Sequence, residues 1–220
     1  TINLHAGANL VSFYALPEDS SVPSILAPLG DNAFGVITEG GACSQIEPDL
    51  WIGSQCSFIG GKGYWMITTE NMSFSYNFSN YIGISDFGCM DIEASNYNSN
   101  ATINGNCEYI PPNSFLFNQS INQSAYFFEN VTISGISLES EDWVGAFNGT
   151  VCIGARKWDT SQCSSGVCEV VANGEGWENG DIPSFKIYDA SANIYYDAVP
   201  SQEFPWSWCS FNFADNLDTI

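Results

Sequence analysis

The sequence predicts an all-β protein: two β-sandwich, Ig-like modules joined by a disulfide-clipped loop, with one short helix. Three observations predict it. Large apolar and small polar residues alternate with a period of two in several segments, turn-forming residues recur roughly every ten positions, and hardly any stretch carries helical periodicity. With 220 residues, 45% of them hydrophobic, the chain can build one large or two modest cores. A polar, cysteine-bracketed stretch ending at Pro111 and Pro112 divides it into an N-terminal module over 1–82, an insert over 83–112 and a C-terminal Ig-like module over 113–220.

The elements follow in order. Ile2 and Leu4 alternate with Asn3 and His5 in a first strand. The AGAN segment then turns the chain into Leu10 to Leu16, an apolar run suited to a strand buried on both faces. Between Ser21 and Leu29, Ser21 is a cap candidate and Pro23 fits a first turn, whereas Pro28 stops the helix within about two turns. GYWMIT, from Gly63 to Thr68, reads as a strand. Met72, Phe74, Tyr76 and Phe78 alternate with Ser73, Ser75, Asn77 and Ser79, the cleanest strand pattern in the chain. In the second half Val131 and Ile133 alternate with Asn130, Thr132 and Ser134. WVGAF and TVCIGA flank Asn148 and Gly149, a strong hairpin signal because such turn residues accept positive φ. SFKIYDA and NIYYDAV frame a second hairpin between Ser184 and Ala198.

Charge and cysteine content bound the function. Four basic side chains face 25 carboxylates, a net charge of −21. Such a polyanion releases no counterions from nucleic acid and is repelled by anionic lipid, so neither is a partner. No run of 18 apolar residues is present, membrane insertion is not expected, and the chain reads as a mature secreted product. Eight cysteines without a CxxC or Cys/His cluster point to disulfides rather than zinc, and to an extracellular location. Spacing pairs Cys43 with Cys56, Cys89 with Cys107 and Cys163 with Cys168. Elimination then leaves Cys152 for Cys209, among 105 possible connectivities.

Catalytic residues are not expected. His5 is the only histidine and lies in a terminal strand, so nucleophile–histidine chemistry lacks a base. GxSxG, HExxH and phosphate-loop patterns are absent. Glu139, Glu141 and Asp142 lie together but read as solvated turn charge ahead of the WVGAF strand. Seven tryptophans and 15% aromatic residues provide for packing or for sugar stacking, with Trp177, Trp206 and Trp208 in loop-like contexts. Asn-x-Ser/Thr sequons begin at Asn71, Asn77, Asn100, Asn118, Asn122, Asn130 and Asn148, where chance gives roughly half as many.

The stretch GCMDIEASNYNSNATINGNCEY, from Gly88 to Tyr109, is rich in oxygen ligands and nearly devoid of apolar side chains. A covalent clip, a hard cation, or both must hold it. Asn96, Asn98 and Asn100 repeat the one-three-five ligand spacing of an EF-hand loop, with Asp91 and Glu93 as charged ligands. The stretch resembles the Cys-Thr-Asp…Asn-Tyr…Gly-Ser-Cys repeat of large secreted bacterial surface proteins, with Asp91, Asn96, Tyr97, Asn98, Ala101 and Cys107 in matching places and Asn104 standing where that repeat usually has an acidic pair. The resemblance implies calcium as a ligand. EDWVGAFNGTVCIGARKW with GDIPSFKIYDAS, and INLHAGANLVSFYALPEDSSV with GKGYW, resemble two β-modules of similar proteins, here in permuted order. If the C-terminal module is completed by a strand from another subunit, Thr1, Ile2, Asn3, Leu4 and His5 are the donor strand. Head-to-tail donation then builds a pilus-like fibril of identical subunits. The alternative is a carbohydrate-binding, adhesive module using Trp177, Trp206 and Trp208.

Overall fold

The computed structural model describes residues 1–76, 81–82, 87–105, 107–174 and 176–220, and for 81–82 the backbone alone. The chain is all-β with one short α-helix. It divides into two compact units. The first comprises Thr1–Thr38, Cys43–Trp51 and Gln55–Ile110; the second comprises Glu39–Ala42, Ile52–Ser54 and Pro111–Ile220. The division at Pro111 coincides with the sequence boundary. The cysteine-bracketed insert belongs to the first unit rather than standing alone, and two short segments from the N-terminal half belong to the second.

The first unit opens with β1 (Ile2–Leu4) and β2 (Gly7–Ser12), then β3 (Leu16–Pro17) and α1 (Val22–Leu26). Strands β4 (Ala33–Thr38), β5 (Gly41–Glu47), β6 (Leu50–Ile52), β7 (Gly63–Thr68) and β8 (Met72–Phe74) follow, with two-residue strands β9 (Tyr81–Ile82), β10 (Phe87–Gly88) and β11 (Ile103–Asn104). The main sheet runs β2-β7-β4-β5-β6, while β1 pairs with β8, β3 with β9, and β10 with β11. Residues 77–79 of the alternating Met72–Ser79 pattern lie outside the described residues. α1 begins with Pro23 in its first turn, as the sequence predicts, but the Ser21 side chain makes no capping bond. Past Leu26 the chain tightens into 3-10 geometry over Ala27–Asn32, where Pro28 cannot donate to an α-helical ladder.

Among the described residues the sheet is covered by α1 and the β1–β8 ladder. At the centre of its core Phe13 lies 4.5 Å from Phe58 by ring centroid, and Phe58 meets Tyr64 edge-on at 4.9 Å. The buried Tyr64 hydroxyl accepts the Ile59 N–H. The Leu10–Leu16 run is not buried on both faces. β2 alternates, with Asn9 and Val11 inside and Leu10 outside, because β2 is the last strand of its sheet. Strands β4, β5 and β6 carry no clear period-two signal and emerge only in the structure.

In the second unit β12 (Gln123–Ile133) and β13 (Ile136–Ser137) precede the hairpin β14 (Trp143–Asn148) and β15 (Val151–Lys157). Then come β16 (Cys168–Asn173), the hairpin β17 (Ser184–Asp189) and β18 (Ile194–Pro200), and β19 (Phe211–Thr219). The order is β13-β12-β19-β18-β17-β14-β15, with β16 also on β12. β19 is parallel to β12 and completes the sheet within the same chain, in register from Ala125↔Phe211 to Thr132↔Asp218.

The sheet folds back so that β15 meets β16. A Cβ on Gly154 would lie 2.0 Å from the Val171 carbonyl oxygen, which only glycine permits. The Asn173 Nδ2 seals the approach by donating to the Ile153 carbonyl at 2.9 Å. Tyr126, Phe128, Val144, Val170, Phe185, Ile187 and Leu217 fill the space between these layers. The first hairpin turns on Gly149 and Thr150, since Asn148 still pairs with Val151. Only Gly149 takes positive φ there, one residue later than the Asn-Gly reading. No helix among the described residues is long and apolar enough to cross a membrane.

Candidate functional site

Cys43–Cys56, Cys89–Cys107 and Cys163–Cys168 are disulfides, as spacing predicts. The pairing reached by elimination is corrected: Cys152 and Cys209 are free, buried thiols. Topology separates them, since β18, β17 and β14 stand between β19, which follows Cys209, and β15, which carries Cys152. Cys209 is held in left-handed geometry, with φ of 54°, while its N–H donates to the Gln123 carbonyl. Burial pushes its thiol up to about 12, and that of Cys152 to about 11.

The Cys89–Cys107 loop directs its side-chain oxygens at itself. Asp91 Oδ1 accepts the Glu93 N–H at 2.9 Å, and Oδ2 accepts the Tyr109 hydroxyl at 2.5 Å. The Oδ1 atoms of Asn96, Asn98 and Asn104 accept the N–H groups of Glu108, Asn100 and Met90 at 2.9–3.0 Å. Glu93 and Asn100 are exposed. Among the described residues no group of three or more His, Cys, Asp or Glu side chains is placed to hold a metal. The sequence gathers the six candidate ligands into one loop, and the structure uses at least four of them to close its backbone hydrogen bonds. The donor set fits a self-bonded, clipped turn.

The tryptophan trio does not act as one platform. Trp206 is buried, with its indole N–H 3.4 Å from the Ala172 carbonyl oxygen, and so cannot offer a face to a sugar. Trp177 is half-buried, 6.2 Å from Trp206 by centroid, and Trp208 is 45% exposed. Asp142 is likewise corrected from solvated turn charge to a buried acceptor. It takes the N–H groups of Glu139 and Ala190, while Glu141 pairs with Lys157 at 2.9 Å. His5 is exposed, with Nδ1 2.8 Å from the neighbouring Ala6 carbonyl oxygen.

The most charged buried centre escaped the sequence reading. Glu169, in the otherwise apolar CEVVAN strand β16, has no exposed side-chain surface. Its Oε1 accepts the Ala42 N–H at 2.8 Å and the Ser54 hydroxyl at 2.5 Å; Oε2 accepts the Ser54 N–H at 3.0 Å. Arg156 Nη1 stands 3.9 Å from Oε1. Burial pushes this carboxyl above the usual carboxylate range, and Arg156 followed by the Ser54 and Ala42 donors pulls it back less strongly. The segments it captures pack so closely that a Cβ on Gly53, at φ of 115°, would lie 2.3 Å from the Ala42 carbonyl oxygen. A lone acid within an apolar strand was the available signal. Its donors come from residues over a hundred positions away, so no local pattern reveals them. The carboxylate ties the 39–42 and 52–54 segments to β16.

The N-terminal strand is paired within its own chain. β1 meets β8 through three residue pairs, Ile2↔Phe74, Asn3↔Ser73 and Leu4↔Met72. Leu4 and Phe74 are buried in the first unit's core. β2, which follows, pairs only with β7 among the described strands and leaves its other edge open. No protein-family model matches the chain, and neither curated proteins nor solved structures show a significant similarity to it.

Proposed function

We propose that this chain is a non-enzymatic structural subunit of an extracellular, pilus-like fibril assembled from copies of itself by strand addition. The observation that carries the reading is the open edge of β2. Its six residues, GANLVS, contain no charge and no proline, and Leu10 on its outer face is 66% exposed. Proteins guard edges of that length with lysine, proline, bulges or extreme shortness; β6, the opposite edge of the same sheet, is three residues long. An unguarded edge accepts a further strand through main-chain hydrogen bonds. Thr1–His5 is the donor, since three pairs are a small ladder to give up and Ile2 and Leu4 present one apolar face. Donation from one copy to the next is heterologous and propagates a filament unless its rotation closes a ring. Three disulfides suit an oxidising, extracellular setting.

Negative-stain microscopy and size-exclusion chromatography across concentration test this. The native chain should form filaments, whereas Leu10→Lys and a deletion of Thr1–His5 should remain folded monomers with an unchanged second unit. A native protein that stays monomeric at every concentration, or filaments indifferent to both changes, overturns the proposal. The adhesive reading keeps Trp208 and, partly, Trp177. Quenching or shift of tryptophan fluorescence by neutral oligosaccharides, lost in Trp208→Ala, would favour it.

A further inference from the structure

We propose that this chain carries N-linked oligosaccharides, with Asn71, Asn100, Asn118 and Asn148 as the acceptors reachable in the folded protein. Seven sequons are about twice the chance number, and structure adds a sorting that chance does not supply. Asn77 lies outside the described residues. The other six sequon asparagines, at 71, 100, 118, 122, 130 and 148, are all exposed. Asparagines outside sequons include the buried Asn9, Asn173 and Asn212, each donating through Nδ2 to backbone carbonyls, and the half-buried Asn32, Asn96 and Asn98. Among the described asparagines all six in sequons are exposed, against six of the twelve outside them.

The reacting atom is Nδ2. Among the described residues no hydrogen bond takes Nδ2 of Asn71, Asn100, Asn118 or Asn148. Asn71 uses only Oδ1, which accepts the Ala6 N–H at 2.9 Å. Asn148 sits at the tip of the β14–β15 hairpin, with Gly149 and Thr150 exposed beside it. The hydroxyl residue completes the acceptor signal, so its burial decides access. Ser73, Thr102 and Thr150 are exposed and Ser120 is half-buried.

Asn122 and Asn130 differ. Ser124, which serves Asn122, is wholly buried and hydrogen-bonded to Ser210 at 2.7 Å. Thr132, which serves Asn130, lies in β12 paired with Asp218 of β19, and Val131 between them is buried. Asn130 Nδ2 is also within 3.5 Å of the Asp215 carbonyl oxygen. These two sequons are open only before β12 enters its sheet.

The co-reactant is an oligosaccharide activated through a lipid phosphate. The asparagine Nδ2 attacks C1 of the first sugar and the N–C1 bond forms. The C1–O bond breaks with its electron pair leaving on the phosphate oxygen, and the amide gives one proton to the transferase's base. No oxidant or reductant enters.

The test is intact mass and glycopeptide mapping of the protein purified from the cells that make it, compared with the 24.0 kDa polypeptide. The expected result is added mass in whole sugar residues, mapped to asparagine, with occupancy at Asn71, Asn100, Asn118 and Asn148 exceeding that at Asn122 and Asn130 by several-fold. Asn100→Gln, Asn118→Gln and Asn148→Gln should each remove one glycan and leave melting unchanged, and Ser73→Ala should remove the glycan at Asn71 while keeping its Oδ1 bond to the Ala6 N–H, so a misfolded multiple variant does not blur the outcome. Bare polypeptide mass, or sugar confined to serine and threonine, overturns the proposal. Equal or greater occupancy at Asn122 and Asn130 overturns the assignment of acceptors by folded-state access.

Discussion

The Cys89–Cys107 insert and the C-terminal unit hold their shape by opposite means. The insert buries little beyond Cys89 and Ala94 and closes itself with Asx-type hydrogen bonds and one disulfide. The C-terminal unit packs Tyr126, Phe128, Val144, Phe185 and Leu217 between its layers and leaves Cys152 and Cys209 reduced inside. A chain segment short of apolar area must restrict its unfolded state covalently, whereas the unit with a full core carries only the short local Cys163–Cys168 crosslink. Within the apolar unit the wholly buried Glu169 is tolerated because three donors, the Ala42 and Ser54 N–H groups and the Ser54 hydroxyl, converge on it beside Arg156.

Removing that charge should have the largest effect. Glu169→Ala leaves Arg156 and the Ala42 and Ser54 donors buried without their acceptor, and should cost about 3–5 kcal/mol in denaturant unfolding. A loss under about 1 kcal/mol would show that water replaces the carboxylate cheaply. Cys89→Ser with Cys107→Ser should cost about 3 kcal/mol, read as loss of hydrogen-exchange protection confined to the insert. Equal loss of protection in β12 and β19 would break the contrast between the regions.

Acid response sharpens it further. The folded Glu169 pKa lies above its unfolded value, so this group's contribution is fully present below about pH 4.3 and is lost as pH rises through the folded pKa. Asp19 (held down by the Ser21 hydroxyl), Asp189 (by the Ala192 N–H) and Asp218 (by the Thr132 hydroxyl) work in the other sense. Their contribution is present above about pH 3.9 and lost as pH falls. The Tm advantage of the native chain over Glu169→Gln should therefore shrink as pH rises above about 4. An advantage that grows with pH would mean that Arg156 and the three donors outweigh burial.

Two smaller effects remain. Thiol titration should find two groups per chain in guanidinium and almost none reacting at pH 8 in the folded state, since burial raises both thiols; zero in guanidinium would restore a Cys152–Cys209 bridge. Millimolar calcium or a chelator should shift melting by less than about 1 °C, because the loop oxygens already serve its own N–H groups. A larger calcium shift would show that Asp91 and its neighbours exchange those partners for a cation.

Local chemistry made much of the molecule legible in advance. Alternation fixed β1 and β8, Asn-Gly and its flanks located the β14–β15 hairpin to within one residue, and proline set both ends of α1, because each depends on residues close in sequence. Cysteines separated by short spacers paired as spacing implied for the same reason: a short loop leaves few other partners. The candidate sites were less legible. Asp91, Asn96, Asn98 and Asn104 have the composition of a metal loop, but whether their oxygens face inward or outward is decided by the fold. Trp206 looked like a loop tryptophan and is core. β16 carried little local signal, since a strand buried on both faces needs no alternation.

From the sequence alone came an all-β chain, disulfide-stapled and strongly acidic, without the groups for common catalysis. Tertiary structure decided that β19 completes its sheet in cis, that Cys152 and Cys209 stay apart, that Ala42 and Ser54 converge on Glu169, and that β2 is an edge strand among the described residues. Each of these is a pairing between positions distant in sequence, and short-range physics does not select among such pairings until the whole apolar surface has been buried.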